Sequence, residues 1–149
     1  MFPILKYPTF NIRLKQDDKQ RLFVFDDIRK KWLNLTPEEW VRQHVVNYLI
    51  TVKQYPLAYI SLEKEIELNG TKKRYDIVVY NKAMKPLIIV ECKAPEIALS
   101  EQVLEQALRY NLVLNVQYVF ITNGLTDAVF HLTELLTELP AYNELLNTQ

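Results

Sequence analysis

Glycine is nearly missing from this chain of 149 residues, which has only Gly70 and Gly124. Neither G-x-G-x-x-G nor G-x-x-x-x-G-K-[ST] can be written with two glycines so far apart. Glycine-cradled phosphate binding is therefore excluded, and with it an ATP site or a motor within this sequence. Cysteine is scarcer still. Cys92 has no second thiol for a disulfide, and with His44 and His131 it does not make the Cys/His spacing of a zinc site. That usage predicts a reducing, cytoplasmic setting. Long apolar runs are lacking too: Leu87-Ile88-Ile89-Val90 falls far short of the roughly 18 residues that a membrane span needs. Met1-Phe2-Pro3 carries no basic leader, so no signal peptide is predicted.

Net charge is also absent, with 18 basic and 18 acidic side chains. Zero net charge argues against a protein held on nucleic acid by bulk basicity. The total conceals a division, however. Residues 1–93 hold 17 basic against 11 acidic groups, a surplus of +6, while residues 94–149 hold Arg109 against 7 acids, a deficit of −6. Hydrophobic residues make up 49% and charged residues 24% of the chain. That is an ordinary globular composition, and the length fits one domain.

Two apolar runs, 10–14 and 21–25, flank the polar stretch Lys15-Gln16-Asp17-Asp18-Lys19-Gln20 and predict an N-terminal hairpin. Leu35-Thr36-Pro37-Glu38-Glu39 is a helix entry, with Thr36 as cap, Pro37 in the first turn and Glu39 as capping-box partner. The helix should run from Pro37 to Val52 with Val41, Val45, Tyr48 or Leu49, and Val52 inward. Extending that stripe backward leans Glu38 toward the buried face and turns Glu39 outward to the cap. Strands follow at 59–66, 74–80 and 86–93, the first two joined by a turn at Leu68-Asn69-Gly70-Thr71. Ile77-Val78-Val79 and Leu87-Ile88-Ile89-Val90 read as central strands covered on both faces. A second helix is predicted over 98–114, with Leu104, Leu108 and Leu112 on one stripe and Gln102, Gln106 and Tyr110 on another. Short strands at 118–122 and 128–131 precede a weakly amphipathic tail. The pattern is that of a mixed α/β domain.

Chemistry gathers on two of these strands. If 74–80 and 86–93 are antiparallel with Tyr80 facing Leu87, Asp76 lies opposite Glu91. Glu91 and Lys93 share a face, and Cys92 points away from both into the core. Opposed carboxylates destabilise a sheet unless a cation compensates. A divalent metal is one such cation, because hard ions take oxygen ligands from one or two carboxylates plus water and phosphate. Lys93 would then stand beside the metal, placed to orient a water or to stabilise charge at phosphorus. E-x-K triplets also arise by chance as charge pairs at exposed strand ends. Here the triplet ends an aliphatic strand, beside a partner strand bearing Asp76 and after a helix bearing Glu38.

Those residues resemble the PD-(D/E)xK nuclease superfamily, and more closely the N-terminal nuclease domain of type I restriction enzyme R subunits. The resemblance rests on Ile28-Arg29-Lys30-Lys31-Trp32, 36–43, Arg74-Tyr75-Asp76-Ile77-Val78, 89–95, 106–111 and Ile121-Thr122-Asn123-Gly124. It implies a restriction-endonuclease-like mixed central sheet flanked by helices, an αβββαβ core over 35–132 with the hairpin and lead-in at 1–34 and a tail at 133–149. It implies further that Asp76 and Glu91 bind Mg2+, with Mn2+ as a substitute, and that Lys93 assists the attacking water. Glu38 completes the site, and the backbone carbonyl of Cys92 is a further candidate ligand. Gln106 and Tyr110 match a Q-x-x-x-Y pattern that supports the site or contacts DNA, with Arg74, Arg42 and Gln43 as other candidates for either role. Tyr75 departs from the proline of the superfamily's name. The implied activity is metal-dependent hydrolysis of DNA alongside other restriction subunits or a separate motor. The alternative is a non-catalytic DNA-binding or interaction module. Both predict a local basic rim at Arg74 and Lys93 around an acidic site, and weak DNA binding by the domain alone.

Overall fold

The computed structural model describes residues 2–68 and 70–146. Its first unit is a three-stranded antiparallel sheet of β1 (Leu14–Gln16), β2 (Leu22–Asp26) and β3 (Lys31–Asn34). The predicted hairpin is there, shifted: Lys15 and Gln16 are strand rather than turn, and a third strand follows that the sequence reading lacked. The turn narrows because the Asp17 carboxylate accepts the backbone N–H groups of Lys19 and Arg21, which closes it in the five residues 17–21.

Helix α1 (Pro37–Thr51) starts where the sequence places it, with the Thr36 hydroxyl accepting the Glu39 N–H at 3.0 Å. Val41, Val45 and Leu49 are fully buried. Val52 is not: it is the cap residue past the helix end and stands 45% exposed. The burial of the two glutamates is the reverse of the sequence expectation. Glu39 is buried at 6%, while the Glu38 side chain is 47% exposed. Arg42 and Gln43 both donate to the Glu39 carboxylate, and these partners outcompete the single N–H that a capping box offers.

The second sheet has six strands in sequence order, β4 (Ile60–Leu68), β5 (Thr71–Tyr80), β6 (Pro86–Cys92), β7 (Tyr118–Thr122), β8 (Asp127–His131) and β9 (Glu134–Leu136). All neighbours are antiparallel except β6 and β7, which are parallel and joined through helix α2 (Glu101–Leu114), as a parallel pair requires. Leu68 pairs with Thr71 around the predicted turn, whose Asn69 lies outside the described residues. The apolar runs 77–79 of β5 and 87–90 of β6, with all of β7, are covered on both faces. Ile77, Val79, Ile88 and Val90 pack with the α1 stripe, and Val78, Ile89, Val119 and Ile121 pack with α2. Cys92 is buried on the α1 side, as its alternation predicts.

Helix α2 begins at Glu101, three residues later than predicted, behind the cap Ser100, whose hydroxyl accepts the Val103 N–H. Its buried stripe is Ala107, Asn111 and Leu114, with Leu104 and Leu108 beside it and Leu112 74% exposed. Successive steps of four residues advance 40° each, so a row of leucines at 104, 108 and 112 walks off the face that i, i+4, i+7 keeps. The segment read as a tail adds β9 to the sheet edge and α3 (Tyr142–Leu146), and Leu139 and Leu145 lie in the α1-side core.

Candidate functional site

Ile77, Val78 and Val79 pair with Val90, Ile89 and Ile88, the register that sets Asp76 beside Glu91. A bulge then moves Tyr80 to Pro86 instead of Leu87. The compensating cations that opposed carboxylates require come from the chain itself, one for each acid. Asp76 Oδ1 accepts from Arg42 Nη2 at 3.0 Å, and its Oδ2 accepts the backbone N–H of Cys92 at 2.8 Å. Glu91 Oε1 pairs with Lys73 Nζ. Lys93 follows β6 directly, its backbone N–H held by the Thr122 carbonyl at 2.8 Å.

These groups line one pocket of about 300 Å³ that includes Glu38, Asp76, Glu91, Cys92 and Lys93, with Arg42, Glu63, Lys73 and Arg74 around them. Basic and acidic residues therefore alternate on the rim. Glu38 shares the pocket with Asp76. Burial and then the Asp76 charge raise the Glu38 carboxyl above its ordinary range, while Arg42 and Lys93 act in the other direction. Glu63 sits opposite Asp76 where the β4–β5 ladder skips a pair, with φ of 50°. That left-handed geometry is unfavourable for a residue with a Cβ. Ion pairs to Arg29 at 2.5 Å and Arg42 at 3.3 Å hold it there.

Behind the pocket lies a buried polar chain. Asp26, 1% exposed, accepts from Arg29 and from Gln43 Nε2; Gln43 also donates to Glu39, and Glu39 pairs with Arg42. Burial alone favours protonation of Asp26, but hydrogen bonds and charge from Arg29 outweigh it and hold the carboxyl below its usual range. Arg42 and Gln43, 6% and 7% exposed, are thus held against the sheet by these partners, with Arg42 also bordering the pocket.

The α2 side is open. Lys73 Nζ lies 4.6 Å from the Tyr75 ring centroid and 4.7 Å from that of Tyr110. Gln106 and Tyr110 line a recess of about 100 Å³ with Lys73, Glu91 and Lys93, and also a broader groove of about 550 Å³ along α2. Site and groove are therefore continuous through these two side chains. The Tyr75 hydroxyl is buried with no hydrogen-bond partner among the described residues, and burial, reinforced by Glu91, drives its ionisation far above the ordinary phenol.

Sequence reasoning missed Glu63, the buried role of Glu39, the Asp26–Arg29 pair and the pairing of Lys73, read only as part of the basic run Lys72-Lys73-Arg74, with Glu91. Asp26-Asp27-Ile28-Arg29 did carry a signal. An Asp two and three residues before backbone donors forms an Asx turn, and Asp26 Oδ1 accepts the N–H of Ile28 and Arg29. Glu63 carried none, because its part depends on a skipped pair in the ladder.

Among the described residues no three His, Cys, Asp or Glu side chains already form a metal cage. Glu38 and Asp76 converge, whereas Glu91 turns to Lys73. The donors still suit a hard divalent ion. All are oxygens, and such an ion needs only one or two carboxylates, with water or substrate completing its shell.

A mixed sheet with helices on both faces and a carboxylate-and-lysine pocket at the β5–β6 edge defines a nuclease-like domain. The family model described as type I restriction enzyme R protein N terminus (HSDR_N) matches residues 37–145, and the chain belongs to that family. Its fold is similar to a fragment of a protein described as an HsdR subunit of a type I restriction enzyme from Vibrio vulnificus YJ016. The two share 21% identity at a TM-score of 0.55, covering 76% of this chain and 25% of that one. It is also similar to a chain of a DrdV–DNA complex, with 12% identity and a TM-score of 0.53 over 76% of this chain and 11% of that one. The chain thus spans a quarter or less of these relatives, and the shared property is the restriction-endonuclease-like fold. No curated protein matches it.

Proposed function

We propose that this domain hydrolyses phosphodiester bonds of DNA with Mg2+, which Mn2+ can replace. The carrying observation is the convergence of Glu38, Asp76, Glu91 and Lys93 on one pocket. Asp76 and Glu91 would hold the ion, with Glu38 and the Cys92 carbonyl as further oxygens. A bound ion supplies Lewis acidity at the phosphoryl oxygen and counter-charge for the incoming phosphate. The chain does the rest. Lys93 orients the attacking water or stabilises developing charge. Arg74, exposed on the rim, meets the phosphate backbone. Gln106 and Tyr110 guide the strand where the groove enters the site. Arg42 and Gln43 fix Asp76 and Glu39 from behind. Residues 35–132 form the nuclease core in this reading, with 1–34 and 133–149 as additions within one domain. It acts in the cytoplasm, and DNA delivery falls to other restriction subunits or a motor protein, since no ATP site can be written in the sequence.

Nicking of supercoiled plasmid in Mg2+ or Mn2+ tests this directly. The intact protein should nick, and Glu91→Ala and Lys93→Ala should not. Inactivity under every metal condition, or equal cutting by the variants, overturns the mechanism.

One observation favours the non-catalytic module as a second reading: Lys73 and Arg42 already neutralise the two principal carboxylates. Calorimetric titration with Mg2+ separates the two. Binding that Asp76→Asn abolishes supports the nuclease, and silence at millimolar metal supports the module.

A further inference from the structure

The N-terminal sheet precedes residue 37, where the match to the family model begins. Its two faces differ sharply. The inner face presents Val24 and Asp26, both almost fully buried. On the outer face the register places Lys15 opposite Phe23 and Phe25 opposite Trp32, with Arg13 and Arg21 completing the row at either end. Every cation there lies over a ring. Arg13 stands 4.0 Å from the Phe25 centroid, Lys15 4.4 Å from Trp32 and 5.8 Å from Phe23, and Arg21 5.9 Å from Phe23.

We propose that this face holds an unpaired DNA strand. Cations interleaved with aromatic rings are what such a strand requires, phosphates for the first and bases for the second. Arg13, Lys15 and Arg21 are exposed, and Trp32 is 38% exposed. The acids nearby do not cancel the attraction. Asp27 pairs with Arg13 at 2.7 Å and Asp17 with Arg21 at 2.6 Å, but both pairs involve exposed arginines, and a phosphate can take the place of a solvated carboxylate. Lys15, at the centre, meets the Phe23 and Trp32 rings and has no ion pair among the described residues. When the cations turn to phosphates they uncover the ring faces, and bases replace them in the same stacking positions. A duplex hides its bases and engages only the cations. The choice of DNA over RNA rests on the function proposed above; the stacking face does not.

Fluorescence anisotropy of a labelled oligothymidylate of about twelve nucleotides, a length within the usual range of such sites, tests this with the whole chain in a metal chelator. Binding is then read whether or not the domain cuts. The intact protein should bind the single strand more tightly than a duplex of equal length. Trp32→Ala should weaken it about tenfold. Lys15→Gln should flatten the log–log salt dependence by about 0.7, the value of one single-strand phosphate contact. Arg21→Gln keeps all three rings and should weaken binding without altering the circular dichroism spectrum, which guards against loss of fold. Absence of single-strand binding, equal affinity in all variants, or preference for the duplex or for oligouridylate overturns the inference.

Discussion

Helices α1 and α2 pack on opposite faces of the same sheet, yet they meet the candidate site differently. From α1 come Glu39, Arg42 and Gln43, each less than 8% exposed and tied into a chain reaching from Asp26 to Asp76. From α2 come Gln106 and Tyr110, exposed and bordering a groove. The first side fixes geometry and the second admits a ligand. A carboxylate that must hold one position gains from partners sealed against water, since fixed dipoles and charges need no reorganisation when substrate arrives. A strand that must enter and leave gains from a side that water already occupies.

The sharpest way to break this comparison is Arg42→Met, which keeps the volume and removes the charge. Asp76 would then lose its cation, Glu39 and Glu63 would keep only Arg29, and breaking a buried pair by deleting one partner costs about 3–5 kcal/mol. Urea denaturation of the metal-free protein should show that loss. A cost below about 1 kcal/mol would mean that the α1 side is no more rigid than an ordinary surface.

Lys73→Met probes the open side and should cost less, about 2 kcal/mol for a partly buried charged hydrogen bond. Its second effect has the opposite sign. Lys73→Met removes the ion pair that occupies Glu91, so Mn2+ measured by calorimetry should bind more tightly than to the intact protein. Weaker binding in this variant would show that Lys73 positions Glu91 instead of competing for it.

Legibility in the sequence follows the same divide. Strand positions and the β5–β6 register were readable because alternation and a continuous apolar run each allow one solution when both faces are buried. Asp76, Glu91 and Lys93 were readable for that reason, being fixed by counting along those strands. The partners were not. Glu39 against Glu38 was decided by Arg42 and Gln43, which lie on the same helix, and by Asp26 and Arg29, which come from β2 and the turn after it. No local pattern announces a contact between elements that distant in sequence. The α2 stripe failed for a geometric reason, the drift of a four-residue repeat. Leu112→Ala should therefore change stability by no more than about 0.5 kcal/mol, against about 2–5 for Leu49→Ala in the α1 stripe. Thermal unfolding of the two variants side by side measures the contrast.

The smallest effect concerns Glu38, which stands between the two sides, half exposed yet beside Asp76. Its carboxyl is raised by burial and then by the Asp76 charge, so the folded protein binds this proton more tightly than the unfolded chain does. Between the ordinary glutamate value and the raised one, the native state carries the extra proton, and stability from this group falls as pH rises through that window. Glu63 works in reverse. Burial disfavours its charge, but Arg42 and Arg29 outweigh that and hold it low, so its contribution is lost on acidification. The two slopes overlap in the intact protein, and the difference between wild type and Glu38→Gln isolates the first. Melting temperatures of the two should coincide well below the carboxylate range, and the variant should be slightly the more stable at neutral pH without metal. Mg2+ should reverse that order, because an ion bound beside Asp76 gives the charged Glu38 a stronger partner than Arg42, 3.6 Å away and shared with Asp76. A variant that is less stable at neutral pH in chelator would mean that Glu38 belongs with the sealed α1 chain and draws more from Arg42 than it loses to Asp76.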